Sequence, residues 1–86
     1  MSSTSDSIRQ VLESHGQLPV GISTLRNGDD LYQNGLTSHA SVNVMLALED
    51  TFNIEFPDSM LRKSTFQSVA AIAEVLISLG VEEPQH

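Results

Sequence analysis

The stretch that decides the fold is Asp30–Phe56, DLYQNGLTSHASVNVMLALEDTFNIEF. From His39 to Phe52 it holds neither Gly nor Pro, so nothing local interrupts a helix of about four turns. Gly35 takes a positive φ without steric cost, which lets the chain reverse just before Leu36, Thr37 and Ser38; Ser38 is then placed to act as N-cap. Two apolar lines run along this helix. Ser41, Val44, Met45, Leu48 and Phe52 recur at i, i+3, i+4 spacing and form a face for burial against other helices. Val42 and Leu46 stand four and eight residues beyond Ser38, on another side of the wheel. Either they belong to a helix buried on most sides, or they face a partner.

Working outward, Ile8, Val11 and Leu12 supply the apolar face of a first helix. Ser5 or Ser7 is its expected cap, with Ser7 and Gln10 matching a capping box, and Gly16 is expected to close it in the left-handed conformation. From Gln17 to Thr37 the residues Leu18, Val20, Ile22, Leu25 and Leu31 are scattered among Pro19, Gly21, Gly28 and Gly35 without a period. That pattern predicts a long loop pinned by its own leucines. Downstream, NIEFPD ends the central helix, and Pro57 suits the first turn of a short helix over Asp58–Lys63. Ser64–Gln67 reads as a turn with Phe66 packed beneath it. Ser68 then caps a last helix carrying Val69, Ile72, Ala73, Leu76 and Leu79, stopped by Gly80. The expected fold is all-α: three main helices and one short one in a single domain over residues 1–86, with a long first crossover. Residues 1–4 and 81–86 are expected to be disordered tails.

The bulk composition narrows the function. Four basic against eleven acidic residues give a formal charge of −7, which favours basic partners and disfavours nucleic acid, whose phosphates need cationic side chains. With no cysteine there is no thiolate metal site, and any thiol chemistry must use an imported thiol. His15, His39 and His86 share no metal-ligand spacing; Asp29 and Asp30 read as turn residues, and Glu49 and Asp50 as a solvated helix end. His39 adjoins Ser38, but neighbours on a helix point about 100° apart, and the glycines of a nucleophile elbow are missing, so a serine hydrolase is disfavoured. The sequence shows neither a signal peptide nor a membrane span. A cytoplasmic monomer is expected.

The run Asp30, Leu31, Tyr32, Gly35, Leu36, Thr37, Ser38, the apolar helix ending in Leu48, Glu49 and Asp50, and then Ile54, Phe56, Pro57 and Asp58 resembles the acyl carrier protein family. The resemblance covers nearly the whole chain. It implies an acyl-carrier-like bundle in which Ser38 receives 4′-phosphopantetheine from coenzyme A through a phosphopantetheinyl transferase. The arm's thiol would carry the cargo, and the protein itself would catalyse nothing. Leu31 and Tyr32 stand where that family places hydrophobic anchors before its serine. Thr37 and His39 flank Ser38 where fatty-acid-type carriers have Asp and Leu, and no acid precedes Glu49 in the helix. Together with the GQLP and NIEFPD runs, this is closer to the stand-alone aminoacyl carriers loaded by an amino acid:carrier protein ligase. Thr37, His39, Val42 and Leu46 are the residues this reading assigns to partner binding. Two alternatives stand beside it: a carrier of fatty acid or polyketide synthesis served by an acyl-transferring synthase, and an unmodified helical adaptor for a basic partner.

Overall fold

The computed structural model describes residues 4–19 and 21–81 and builds three α-helices around one apolar core: α1 (Thr4–His15), α2 (Ser38–Phe52) and α3 (Val69–Ser78). Helix α1 packs against both of the others. Its Ile8 and Leu12 are fully buried, each contributing on the order of 1.5–3 kcal/mol by leaving water. Val44 and Leu48 of α2 and Ile72 and Leu76 of α3 meet them in the same cluster. The central helix begins one residue before the expected His39 and ends at Phe52 as expected; Val44 and Leu48 of the predicted face are buried, Met45 and Phe52 stand at the cluster's margin, and Ser41 lies outside the cluster, in the groove beside Ser38. Ala40 is 1% exposed, so the innermost line of α2 is Ala40, Val44, Leu48, at strict i, i+4 steps.

The first helix departs from expectation at both ends. Thr4 is helical and buried, so residue 4 is no tail, and Ser5 and Ser7 lie inside the first turn instead of capping it. At the other end the left-handed residue is Gln17, with φ 52°, and not Gly16. Gly16 is needed for a different reason: a Cβ there would collide with the Leu12 carbonyl oxygen, to which the Gly16 amide donates at 2.8 Å. Val81, expected in a tail, is half-buried on the core, and its amide donates to Leu76 O at 3.0 Å. Val20 and the remaining tail residues lie outside the described residues.

The long crossover is pinned as predicted by Ile22, Leu25 and Leu31, all buried, and it carries one 3₁₀ turn at Ile22–Thr24. It is also pinned by polar groups that no hydrophobic pattern reveals. Arg9 reaches out of α1 to donate to the carbonyls of Ile22 and Leu25 at 2.9 and 2.8 Å and to Asn27 Oδ1 at 2.6 Å. Leu31 N donates to Gln67 O at 2.7 Å, and Ala70 N to Asn27 O at 2.9 Å, which stitches the loop to the start of α3. Asp29 and Asp30 perform the turn chemistry expected of them, Asp29 accepting from Arg26 N and Asp30 from the amides of Tyr32 and Gln33. These bonds, that to the Gln33 amide foremost, hold the Asp30 carboxyl below its ordinary range.

Beyond α2, Asn53 closes the helix in the left-handed conformation at φ 54°. Glu49 is not the solvated helix-end residue the sequence suggested: its carboxylate accepts from Phe56 N at 2.8 Å and fixes the segment after the helix. The expected short helix over Asp58–Lys63 is instead two 3₁₀ turns, Asp58–Met60 and Lys63–Phe66, the second taking up most of the predicted turn. A few residues cannot close several i→i+4 bonds, and the tighter turn satisfies them more cheaply. Phe66 is buried as expected, tilted against Phe56 with ring centroids 5.6 Å apart. Ser68 caps α3 through Ala71 N at 3.0 Å, and Gly80 at φ 103° follows its end.

Candidate functional site

The approach to Ser38 is built by a turn that only glycine allows. Gly35 has φ 112°, and a Cβ there would run into the Pro19 ring as well as adopt a disfavoured backbone. The reversal buries Leu36, whose amide donates to Leu31 O at 2.9 Å, and delivers Thr37 in extended conformation at the head of α2.

Thr37, not Ser38, is the N-cap. Its Oγ1 accepts from Ala40 N at 3.0 Å and its carbonyl accepts from Ser41 N at 2.9 Å. Ser38 is the first helical residue, so the cap and the helix start each lie one position earlier than expected. The correction matters chemically, because a capping hydroxyl is spent on a backbone amide, whereas Ser38 is exposed and outside the cap. Thr37→Ala should therefore cost about 0.5–2 kcal/mol in a urea melt while leaving Ser38 free to react. No loss of stability would move the cap elsewhere.

Ser38 stands at one wall of a groove of about 240 Å³. Its floor and sides are apolar, formed by Val42 and Met45 of α2 with Leu61 and Phe66 of the 3₁₀ segment. Tyr32, Arg62 and Lys63 complete it on the polar side. Ser41 Oγ donates to Ser38 O at 2.7 Å. Burial of the Tyr32 ring pushes its hydroxyl up from the ordinary value, so it stays protonated at neutral pH. Lys63 lays its ammonium 4.9 Å from the Tyr32 ring centroid.

The residues proposed from sequence for partner contact are all on the surface. Thr37 and His39 flank Ser38 and are exposed. Val42 and Leu46 are 50% and 53% exposed, which places them off the core and on the same side of α2 as Ser38. Leu61, at 46%, extends this apolar surface across the groove; lying between two 3₁₀ turns, it belongs to no periodic pattern.

Residues 15–76 match the family model described as the phosphopantetheine attachment site. The chain belongs to that family. Its members carry cargo on a covalently attached 4′-phosphopantetheine and are not themselves catalysts. The phosphopantetheine carrier described here is 45% identical to the aminoacyl carrier protein of Agrobacterium fabrum over 80% of this chain and 83% of that one. It also superposes, with a TM-score of 0.83 and 42% identity over 85% of this chain and 97% of the other, on the Agrobacterium tumefaciens carrier protein crystallised with an engineered Bradyrhizobium japonicum glycine:[carrier protein] ligase and AMP. A glycylated carrier protein bound to the Bradyrhizobium japonicum glycine:[carrier protein] ligase matches with a TM-score of 0.72 at 28% identity, over 84% of this chain and 96% of that one.

The residues present fit such a group. A phosphodiester needs an exposed hydroxyl and a tolerant electrostatic setting. Ser38 supplies the first, and the amides of Ser38 and His39, which precede the capped Ala40, point out of the positive end of α2.

Proposed function

We propose that this chain is an aminoacyl carrier protein in which Ser38 is the attachment residue. The observation that carries the proposal is the division of labour at the head of α2. Thr37 holds the helix, and the neighbouring hydroxyl is left exposed beside a groove. When bound, the pantetheine thiol supplies a thioester, a good acyl donor on a flexible tether. The chain's own residues then have two tasks. The buried lines of α1, α2 and α3 keep the start of α2 rigid, and the exposed side chains near it present a docking face.

Likeness to carriers crystallised with glycine:[carrier protein] ligases supports an amino acid:carrier protein ligase as the loading partner and a small amino acid as cargo. A phosphopantetheinyl transferase is the partner required before it. Thr37, His39, Val42 and Leu46 form the docking face, where apolar side chains give contact without a cost to the fold. Incubation with coenzyme A and a transferase should add the mass of one phosphopantetheine, located to the peptide containing Ser38. Subsequent ligase, ATP and amino acid should add one aminoacyl group. An unchanged mass in the first step rejects the proposal.

Val42→Asp and Leu46→Asp should each slow aminoacyl transfer severalfold, by desolvating a charge at the interface, while the melting temperature stays within about 2 °C of the parent. Transfer rates equal to the parent in both variants would remove this face from the docking surface.

A further inference from the structure

An asparagine followed by glycine occurs twice in the crossover between α1 and α2, at Asn27–Gly28 and at Asn34–Gly35. Such a pair can react with itself. The glycine amide nitrogen attacks the asparagine Cγ and closes a five-membered imide, and glycine, lacking a Cβ, leaves that approach open. The attack needs an electrophilic carboxamide carbon and an amide nitrogen that can lose its proton. The two pairs differ on both counts. At Asn34–Gly35 the reacting groups are tied: Gly35 N, the nucleophile, donates to Tyr32 O at 3.2 Å, and Asn34 Nδ2, the leaving group, donates to Asp30 O at 2.7 Å.

At Asn27–Gly28 the hydrogen bonds fall on the opposite ends of the same groups. Arg9 Nη2 donates to Asn27 Oδ1 at 2.6 Å, which draws electrons from Cγ and meets the negative oxygen that the attack creates. Arg9 Nη1 donates to the carbonyls of Ile22 and Leu25, which fixes the guanidinium in place. Ala70 N donates to Asn27 O at 2.9 Å. That oxygen belongs to the same amide as the Gly28 nitrogen, so this bond favours the anion left when Gly28 N gives up its proton. Ala70 lies in the first turn of α3, whose dipole acts in the same direction. Both Asn27 and Gly28 are exposed, so water reaches them. The acid in the same turn, Asp29, is held by the Arg26 amide at 2.9 Å.

We propose that Asn27–Gly28 is a site of spontaneous deamidation in the folded protein and that Asn34–Gly35 is protected from it. Gly28 N loses its proton to a solvent base and bonds to Asn27 Cγ. The Cγ–Nδ2 bond then breaks, and ammonia leaves with a proton taken from water. A second step adds water to the imide. Breaking the bond from the ring nitrogen to Cγ gives aspartate, and breaking its bond to the main-chain carbonyl carbon gives isoaspartate. One water is consumed and one ammonia released, with nothing oxidised or reduced. The aspartate form sets a carboxylate beside the Arg9 guanidinium and the start of α3, so the crossover keeps its place. Isoaspartate inserts a methylene into the main chain and moves the carbonyl that Ala70 N requires, which loosens the crossover from α3. The inference does not depend on an arm at Ser38.

The test holds the full chain in warm, mildly alkaline buffer, folded and in parallel unfolded in urea. Trypsin then releases residues 27–62 as one peptide, whose fragmentation assigns the mass change from amide to acid to residue 27 or 34. In the folded chain Asn27 should convert several times faster than Asn34. In urea the two rates should converge, because the hydrogen bonds that separate them are gone. Equal rates in the folded chain, faster conversion at Asn34, or an Asn27 that survives folded while both residues convert in urea overturns the proposal. Gly28→Ala checks the imide route: a Cβ there meets nothing within 4 Å and Gly28 is not left-handed, so the variant should melt with the parent. Conversion at Asn27 should slow severalfold in it while Asn34 is unaffected. An unchanged rate at Asn27 rules out attack by the Gly28 amide and the proposal with it.

Discussion

Ser38→Ala is expected to gain no mass from coenzyme A and transferase, and to melt at or slightly above the parent's temperature. The loss should be complete, because esterification needs an oxygen at that Cβ and none of the neighbouring hydroxyls can replace it. Thr37 Oγ1 is bonded to Ala40 N, and Ser41 Oγ to Ser38 O, so each is held by the helix it belongs to. The unchanged stability follows from the same geometry. As the first helical residue, Ser38 contributes no cap bond, and Ala has the higher helix propensity by up to about 0.5 kcal/mol. Had Ser38 been the cap, one substitution would have removed both the attachment point and the helix start. Intact-mass analysis and a urea melt of the same preparation separate the two effects. A variant that is still modified places the arm elsewhere, and one that melts with a deficit of 1 kcal/mol or more, a capping-sized loss of about 0.5–2 kcal/mol, returns the cap to Ser38.

What the sequence revealed, and what it hid, divides by the range of the signal. The uninterrupted run from His39 to Phe52, the cap at Ser68 and the turns at Gly35 and Gly80 are local and were legible. The cap of α2 was misplaced by one residue because Thr37 and Ser38 are both good caps. In the folded chain it is Thr37 Oγ1 that accepts from Ala40 N. Ala40 leaves no mark in the pattern because a methyl group does not register as an apolar anchor, yet it is buried at 1% exposure. Arg9 and Glu49 act on partners 13 and 7 residues away, and nothing in their immediate neighbourhood distinguishes them from solvated charges. Gln17 takes the left-handed conformation expected of Gly16 because Gly16 is held against the Leu12 carbonyl, a contact that periodicity does not encode. At the site, Ser38 is singled out by the family resemblance, and the exposed Val42 and Leu46 are legible through their i+4 spacing from it. Leu61, Arg62 and Lys63 were not, since the two 3₁₀ turns that bring them to the groove have no sustained period.

Leu48→Ala should destabilise the carrier by about 2–5 kcal/mol, the range for a fully buried leucine whose surroundings relax only in part. Leu48 is 0% exposed and belongs to the cluster where α1, α2 and α3 meet, so the missing atoms leave a void that no one loop can fill. For 86 residues the whole stability is on the order of 4–13 kcal/mol, which makes this single change a large share of it. In urea the midpoint should fall with little change in slope, since the surface exposed on unfolding is nearly the same. Leu46→Ala is the control that gives the result its meaning. It removes the same atoms from the same helix two residues away, but Leu46 is 53% exposed and should cost no more than about 0.5 kcal/mol. Equal losses at the two positions would mean that α2 is buried on both sides, leaving no free face beside Ser38. A large loss at Leu48 with a small one at Leu46 means that one side of α2 holds the fold while the other is exposed to solvent. That asymmetry is what the proposed attachment at Ser38 requires, because a partner that grips α2 beside an arm there must do so without disturbing the core beneath it.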